Sequence, residues 1–420
     1  MKLAFLLPGI ALLTAGVFRA PVASQAETTL VVAGDFLGSL SPCGCTKPMV
    51  GGIRRWATAI STLRKQGDCV IAVNGGLVDG TSRQDELKAE SLAESFNDVK
   101  ASAINLTTRE AKLGRGLVAS INRLSGGLLT TASLEPSETF DAAPYREAGP
   151  FLIGGVDPNS KIMASMLEAT DTDLERAVDD FVEAARASDK APVLLFAGDE
   201  DGARSIARHA PGLKAIVFRS AMPNSGPPLK EGGTVLLTPG EKGRELVTAT
   251  WNGSEFVRFQ VVTLGPEIED DPEVSTSYSH YLERVDDEQL LEAVPRTVTA
   301  EYAGNEACIS CHEAAAKVWE TSDHHRALKT LEDDHHGKDP DCVGCHVVGL
   351  GSSSGYMNRA TTPHLTDVGC ESCHGPAKLH AMEPSKNPLS KAGPEACAKC
   401  HDRDHSPKFD FSTYWPKIRH

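Results

Sequence analysis

The hydrophobic pattern of the first 265 residues alternates between short apolar runs and amphipathic segments. The apolar runs predict buried strands at Thr29–Ala33, Cys69–Val73, Val193–Ala197 and Ala215–Phe218. The amphipathic segments predict helices at Ile53–Lys65, Leu174–Ala187 and Ala203–His209. Later apolar runs near Thr234, Glu245 and Phe256 indicate an antiparallel end. This alternation predicts a layered α/β domain over residues 27–265.

The pattern changes after residue 265. Ten acidic and two basic residues lie between Pro266 and Ala300, so this stretch has a net charge of −8. We expect an acidic, solvated linker over residues 266–300, with a helix from about Tyr278 to Ala293. Residues 301–420 contain many Gly, Pro and Ser residues between short motifs, and they predict a mainly α, loop-rich domain with one longer helix from about Cys311 to Leu331.

The first 26 residues have the pattern of a secretory signal peptide. Lys2 precedes an apolar run that continues to about Phe18, and Ser24-Gln25-Ala26 supplies small residues at a cleavage point. An uncleaved anchor is the alternative, but the run is shorter than the ~20 residues of a spanning helix. We therefore expect an exported protein, periplasmic or extracellular, without a transmembrane segment after cleavage. The net charge of −15 and the absence of a basic, aromatic stretch argue against nucleic-acid binding.

One five-residue motif, C-x-x-C-H, occurs four times in the last 120 residues. Each copy is a c-type haem attachment sequence, because two thiols at this spacing reach the two vinyl groups of one porphyrin and the following imidazole binds the iron. The sequence therefore predicts four covalently bound haem c groups. The attachment residues are Cys308, Cys311, Cys342, Cys345, Cys370, Cys373, Cys397 and Cys400, and the proximal iron ligands are His312, His346, His374 and His401.

Two other uses of these cysteines are less favoured. Four C-x-x-C pairs could form zinc sites or disulfides, but neither needs a His directly after every second Cys. Four haems in about 120 residues also leave too little chain to enclose each one separately. We therefore expect closely spaced haems that form much of the core of this domain.

The C-terminal region resembles the tetrahaem cytochrome c-554 family. The resemblance lies in the segments that begin at Trp319, Asp341 and Asp367, covers about Asn305 to His380, and weakens after the fourth motif. That family accepts electrons from hydroxylamine oxidoreductase in nitrifying bacteria. The resemblance implies the haem number and the general packing, and it implies that one iron lacks a sixth ligand while the others have two His. We expect this exception at the second haem, that of His346.

Eight further His residues lie in this region and exceed the four distal positions. His324 and His380 stand where the resembled family places distal ligands, and for the fourth haem His405 and His420 compete. His325 should be exposed, because it points about 100° away from His324 on a helix. Weaker distal candidates are His335, His336 and His364, and the thioethers of Met357 and Met382.

The N-terminal domain resembles calcineurin-like metallophosphoesterases of the 5′-nucleotidase group. The resemblance rests on Ala33-Gly-Asp35-Phe-Leu37 and the segment that follows to Arg55, and it extends weakly to about residue 260. Such enzymes hold two metals with Asp, Asn and His. Here Leu37 stands where a His is needed, and Thr108-Arg109-Glu110 replaces an Asn-His-Glu element. We therefore expect a metallophosphoesterase-like domain without metal ligands, serving as a scaffold or partner-docking domain.

The sequence thus favours an exported electron carrier that exchanges electrons with redox protein partners and is not an enzyme. The alternatives are a haem enzyme that acts on a small nitrogen or oxygen species at an open iron, and a redox-coupled phosphoesterase. Cys43, Cys45 and Cys69 form an odd set; Cys45 and Cys69 could form a disulfide, and a metal or redox role for Cys43-Gly-Cys45 stays open.

Overall fold

The computed structural model describes residues 27–42, 48–136, 141–224 and 226–420. Most of the strands are continuous apolar runs, as expected where both faces of a parallel sheet are covered. The strands are β1 Thr28–Ala33, β2 Cys69–Val73, β3 Ala103–Asn105, β4 Leu129–Thr130, β5 Tyr145–Ala148, β6 Phe151–Val156, β7 Ala191–Phe196, β8 Ala215–Val217, β9 Leu229–Glu231, β10 Thr234–Leu237, β11 Glu245–Trp251 and β12 Phe256–Thr263.

These strands form two six-stranded sheets. The first has the order β12-β11-β1-β2-β3-β4, in which β1 to β4 are parallel and β11 and β12 are antiparallel. The second has the order β5-β6-β7-β8-β10-β9, with β6, β7, β8 and β10 parallel. The predicted antiparallel end is present at β11 and β12.

The helices of the α/β domain cover the outer faces of the two sheets. They are α1 Ile53–Arg64, α2 Arg83–Asp98, α3 Thr108–Ala111, α4 Arg115–Leu124, α5 Ser160–Leu167, α6 Leu174–Ala187, α7 Glu200–His209 and α8 Pro272–Asp287. Alternating side chains of β1 show the layering, since Leu30 and Val32 pack between the sheets while Val31 and Ala33 pack under α1 and α2. This arrangement of helix, sheet, sheet and helix confirms the layered α/β prediction.

The acidic connector differs from the expected solvated linker. Its helix, α8, begins at Pro272 rather than near Tyr278, because Asp271 caps the first turn and Pro272 fits the first helical position. The stripe Val274, Tyr278, Tyr281 and Val285 is buried against α1 and α2. The acidic side chains take the opposite, solvated side, so the connector is part of the α/β core.

The C-terminal region consists of short helices joined by loops, and the structure assigns it no strands. The helices are α9 Asn305–Ile309, α10 Glu313–Glu320, α11 Ala327–Asp333, α12 Pro340–Val343, α13 Cys370–His374, α14 Lys378–Met382, α15 Pro394–Cys397 and α16 Phe411–Tyr414, with 3-10 turns at Asp323–Arg326, Pro363–Leu365 and Trp415–Lys417. This confirms the mainly α, loop-rich prediction.

The single helix predicted from Cys311 to Leu331 is wrong. The helical path stops after Glu320, where the Ser322 hydroxyl donates to the carbonyl of Trp319, and a 3-10 turn precedes α11. The Trp319 indole donates to the carbonyl of Val368 at 2.8 Å, which ties this break to the third motif. In the part of the chain that the structure describes, no helix is long and apolar enough to cross a membrane.

Candidate functional site

All four attachment motifs lie on or beside short helices of the C-terminal region. Cys308 lies in α9 and His312 caps α10, while Cys342 lies in α12 and Cys397 ends α15. Residues Cys370–His374 form α13. One helical turn places the two cysteines of a motif on one side, which is the arrangement that thioether formation with one porphyrin requires.

The cysteines of different motifs contact one another. Cys308 of the first motif hydrogen-bonds Cys370 of the third, and this bond is the largest cause that lowers the pKa of Cys370 to about 7. Cys345 of the second motif hydrogen-bonds Cys400 of the fourth in the same way. Cys373 and Cys397 also lie close enough to interact electrostatically. The motifs therefore follow the spatial order first, third, fourth, second.

Three of the proximal His rings face a second His ring from elsewhere in the domain. The ring centres of His312 and His380 lie 6.3 Å apart, those of His324 and His401 lie 6.2 Å apart, and those of His374 and His420 lie 5.9 Å apart. His420 therefore faces the His of the third motif and His324 faces that of the fourth, whereas the sequence interpretation expected His405 or His420 at the fourth.

These separations fit an iron bound between two imidazoles. A ligating nitrogen lies about 2 Å from its metal and the ring centre about 1 Å behind that nitrogen, so two rings across one iron have centres about 6 Å apart. Burial lowers the pKa of His324 and His401, which keeps both imidazoles in the neutral form that binds metal. When bound, haem supplies an iron that alternates between the ferric and ferrous states.

His346 of the second motif differs from the other three. Its Nδ1 is 2.6 Å from the carbonyl oxygen of Ala327, which fixes the ring so that Nε2 can face a metal. Among the described residues, which include every His of the chain, no second imidazole has its ring centre about 6 Å from that of His346. His335 and His364 are exposed.

His336, the remaining candidate for the second haem, is held by the α/β domain. The Tyr278 hydroxyl of α8 lies 3.1 Å from its Nδ1. His336, Asp339 and Cys342 have ligand atoms within 4.8 Å of one another and could together hold a cation. We assign this cluster to the second haem loop instead, because Cys342 belongs to an attachment motif.

Other predicted residues have different partners. The His405 ring bonds the Asp402 carboxylate at 2.8 Å. His325 is exposed, as expected, and packs edge-on against Trp319 with ring centres 4.5 Å apart. Met382 is 71% exposed.

Few apolar side chains are buried in the C-terminal region. Its core cluster consists of Leu291, Leu328, Val343, Val347, Val348, Tyr356 and Leu365. A domain of about 120 residues normally buries a much larger apolar set. The small cluster fits a core to which porphyrins contribute, as the sequence predicts.

The loop before the second motif is anchored in the α/β domain. Gln84 of α2 donates to Asp339 Oδ1 at 2.6 Å, and the Tyr281 hydroxyl of α8 donates to Asp339 Oδ2 at 3.3 Å. Asp339 is 6% exposed. Lys88 of α2 forms an ion pair with Asp341, beside Cys342. Buried, satisfied polar contacts of this kind fix one relative position of two elements.

The loop after the fourth motif has a second anchor. Asp404 pairs with Lys242 at 2.5 Å and with Arg244 at 2.7 Å. Burial acts to raise the pKa of Asp404. Hydrogen bonds and charge from Lys242 and Arg244 outweigh this effect and lower the pKa to about 2. The backbone N–H of Lys242 also donates to the carbonyl of Asp35 at 2.8 Å. The loop after the fourth motif thus contacts Lys242, which is itself bonded to Asp35, the candidate metal ligand of the α/β domain.

Asp35, the candidate metal ligand of the α/β domain, lies among charged side chains. Asp35 and Leu37 both have positive φ, 47° and 50°, a conformation that Asp tolerates but that is costly for Leu. Asp35 is 3% exposed, and its Oδ1 is 2.6 Å from Arg109 Nη1 and 3.1 Å from Arg219 Nε. Burial raises the pKa of Asp35 to about 6, although Arg219 and Arg109 act to lower it.

The residues present do not fit two metal ions. Two guanidinium groups neutralise Asp35 instead of two cations, and Leu37 has no donor atom. Asn74 uses its amide N–H groups on the carbonyls of Phe196 and Val217, so its side chain is part of the sheet core. No described residue supplies a His here. Cys43 and Cys45 lie outside the described residues, and Cys69 is a free thiol at the other end of β2.

The sequence did not single out Arg219, which contacts Asp35, or Lys242 and Arg244, which contact Asp404. Arg219 follows β8 at its carboxyl end, which is where functional side chains of parallel sheets gather, and that position is a usable signal. Lys242 and Arg244 have no comparable signal, because their partner Asp404 is distant in sequence.

Comparison with known proteins confirms both resemblances. Residues 307–375 match the family model of cytochrome c554 and c-prime. Cytochrome c-554 of Nitrosomonas europaea is 35% identical over 136 residues, which cover 24% of this chain and 58% of that protein. The chain thus spans little more than half the length of this relative. The C-terminal region has the sequence of a c-type cytochrome, which implies covalent haem.

The α/β domain has the fold of metallophosphoesterases. Similar structures are the sulfate thiohydrolase SoxB of Thermus thermophilus (TM-score 0.53, 17% identity, 62% of this chain and 61% of that chain) and a 5′-nucleotidase precursor from the same species (TM-score 0.53, 16% identity, 74% and 68%). The NAD nucleotidase of Haemophilus influenzae is also similar (TM-score 0.55, 14% identity, 67% and 64%). At these identities the likeness establishes the fold alone.

Proposed function

We propose that the protein is an extracytoplasmic tetrahaem cytochrome that transfers electrons between redox protein partners. The observation on which this rests is the set of three His pairs at about 6 Å together with four attachment motifs in one small domain. His312, His346, His374 and His401 are the proximal ligands in this proposal. His380, His420 and His324 are the distal ligands of the first, third and fourth irons.

The order of electron movement in this proposal follows the contacts between motifs. Cys308 meets Cys370, Cys373 meets Cys397, and Cys345 meets Cys400. Residues of neighbouring motifs therefore hold successive haems in the order first, third, fourth, second. Removing the third haem with Cys370→Ser and Cys373→Ser should slow electron exchange between the first haem and the other two. An unchanged exchange rate would contradict this order.

The α/β domain acts as a scaffold in this proposal. It anchors the second haem loop through Asp339 and Asp341, and the fourth through Asp404. These are the two motifs at one end of the proposed relay. Hydrolysis of phosphate esters is not part of the proposal, because Arg109 and Arg219 occupy the surroundings of Asp35.

A second function is favoured by one observation, the lack of an imidazole opposite His346. A small nitrogen or oxygen species could bind at that iron, so that the protein acts as a haem enzyme. Electron paramagnetic resonance of the oxidised protein separates the two functions. A high-spin ferric signal that changes with nitric oxide supports the open site, and four low-spin signals leave a pure carrier.

The proposed function is tested by the mass and absorbance of the exported protein. The intact mass should increase by four haem masses over the chain and should lack about 26 N-terminal residues. The reduced protein should show the absorbance of c-type haem. A protein that contains zinc and no haem would overturn the proposal.

A further inference from the structure

The last 37 residues have a charge opposite to that of the rest of the molecule. Residues 384–420 contain seven Lys or Arg and four Asp or Glu, while the remaining chain contains 35 and 53. This whole segment lies beyond the part that matches the cytochrome family model, residues 307–375. The match to the family model therefore does not account for the basic segment.

Three of the four acidic residues in this segment are already paired. Asp404 pairs with Lys242 and Arg244, Asp402 accepts from His405, and Asp410 caps α16. In contrast, within the described part of the chain six basic residues of this segment are exposed and have no ion pair within 4 Å, and one of them, Lys417, lies over the Tyr414 ring instead. The basic surface consists of the other five: Lys391, Lys399, Arg403, Lys408 and Arg419.

Each residue of the basic surface lies within two positions along the chain of a residue at the third or fourth haem site. Lys391 follows Ser390, whose carbonyl is 3.1 Å from His374 Nδ1. Lys399 and Arg403 lie on either side of His401. Lys408 precedes Phe409, which stacks on His401 with ring centres 4.8 Å apart. Arg419 precedes His420, the residue opposite His374.

Aromatic side chains accompany these charges. Phe411 and Trp415 stack with ring centres 5.4 Å apart and are both partly exposed. Arg, Trp and Phe are enriched in protein interfaces, and a charged rim around such groups orients the encounter of two proteins.

We propose that the basic surface docks an acidic redox protein, so that electrons enter or leave through the third and fourth haems. This inference rests on the proposed function and adds the class of partner and the port. In each transfer the partner gives up one electron and one ferric haem becomes ferrous, with no bond made or broken. The reverse reaction uses the same surface.

The sign of the salt dependence distinguishes this surface from the charge of the whole molecule. A protein of net charge −15 repels an acidic partner, so added salt should accelerate their reaction. A local basic surface attracts the same partner, so added salt should slow it. A reduced plant-type [2Fe–2S] ferredoxin is a suitable acidic probe, with stopped-flow absorbance of the haems as the readout.

The test compares two triple variants of the full-length haem protein. Lys391→Glu, Lys399→Glu and Lys408→Glu reverse three of the five charges of the basic surface, and Lys65→Glu, Lys112→Glu and Lys161→Glu change the same charge at exposed positions of the α/β domain. We expect the first variant to react about 10-fold more slowly with ferredoxin at low salt and to lose the inhibition by salt. The control variant should behave as the unmodified protein.

A photoreduced neutral flavin separates the failure of this inference from the failure of the proposed function. Both variants and the unmodified protein should be reduced by the flavin at the same rate. Equal rates with ferredoxin for the two variants, or acceleration of the unmodified protein by salt, would overturn the docking inference and leave the cytochrome intact. A protein that shows no haem reduction by either reagent would overturn the proposed function itself.

Discussion

The ring of His324 lies 6.2 Å from the ring of His401, so a residue between the first and second motifs faces the proximal ligand of the fourth. His380 reaches back in the same way from beyond the third motif to His312 of the first. The paired His residues thus come from segments remote from the motif that they face. Each His pair therefore cross-links the domain once an iron lies between its rings.

The His324 pair leads to a prediction about spin state. In His324→Ala, the iron bound by His401 should lose its sixth ligand and give an additional high-spin ferric signal in electron paramagnetic resonance. His325→Ala is the matched control, because this neighbour is exposed and contacts Trp319 rather than a proximal His. Identical spectra for the two variants would contradict the pairing.

A second prediction concerns the Tyr278 hydroxyl, which lies 3.1 Å from Nδ1 of His336. In Tyr278→Phe, His336 loses this partner and becomes available to the second iron, since it already lies within 4.8 Å of Cys342. The high-spin signal expected of the unmodified protein should then decrease, and binding of nitric oxide should weaken.

Tyr281→Phe provides the control for this experiment. The Tyr281 ring stacks on Tyr278, but its hydroxyl donates to Asp339 rather than to His336. The high-spin signal of the Tyr281→Phe variant should equal that of the unmodified protein. If both variants lose the signal equally, the effect comes from general loosening of α8 and not from the release of His336.

The elements of the α/β domain were predictable because burial on both sides produces continuous apolar runs. The predicted strand at Cys69–Val73 and the predicted helix at Leu174–Ala187 have the same bounds in the structure. The break after Glu320 was not predictable, because the bond from Trp319 to Val368 depends on tertiary contact. Local helical preference favoured a continuous helix there.

The haem motifs were predictable from spacing, but the His partners were not. Thioether formation needs two thiols and an imidazole within five residues, so the sequence contains the whole signal. A distal His needs only to reach an iron from anywhere in the fold. His405 was a reasonable candidate, because it lies close to His401 along the chain. In the structure, however, its ring bonds the Asp402 carboxylate.

A third prediction tests the anchor of the fourth haem loop. Asp404→Asn removes the charge that Lys242 and Arg244 neutralise, and the loss should be about 1 kcal/mol, since the pair is partly exposed. Amide hydrogen exchange in residues 400–406 should accelerate by about 5-fold. Asp410→Asn, which affects only the cap of α16, should leave this exchange unchanged.

The same anchor should depend on pH in a defined window. Because the pKa of Asp404 is lowered in the folded protein to about 2, its stabilising effect is complete above about pH 4 and is lost as the pH falls towards 2. The difference in exchange between the unmodified protein and Asp404→Asn should therefore disappear in acid. A difference that is undiminished at pH 2 would show that Asp404 acts through packing and not through its charge.

The last prediction concerns Asp35, the candidate metal ligand of the α/β domain. With added Mn²⁺ or Zn²⁺ the protein should not hydrolyse a chromogenic phosphate monoester, because Arg109 and Arg219 surround the one remaining ligand. Asp35→Ala should instead destabilise the α/β domain by about 3 kcal/mol, since it leaves two partly buried guanidinium groups without their shared carboxylate. Asp79→Ala is the control, because Asp79 is 69% exposed and contacts Arg109 alone; its effect should stay within about 0.5 kcal/mol. Thermal unfolding and the hydrolysis assay distinguish the two roles. Turnover that disappears in Asp35→Ala while stability is unchanged would mean that Asp35 is a metal ligand after all.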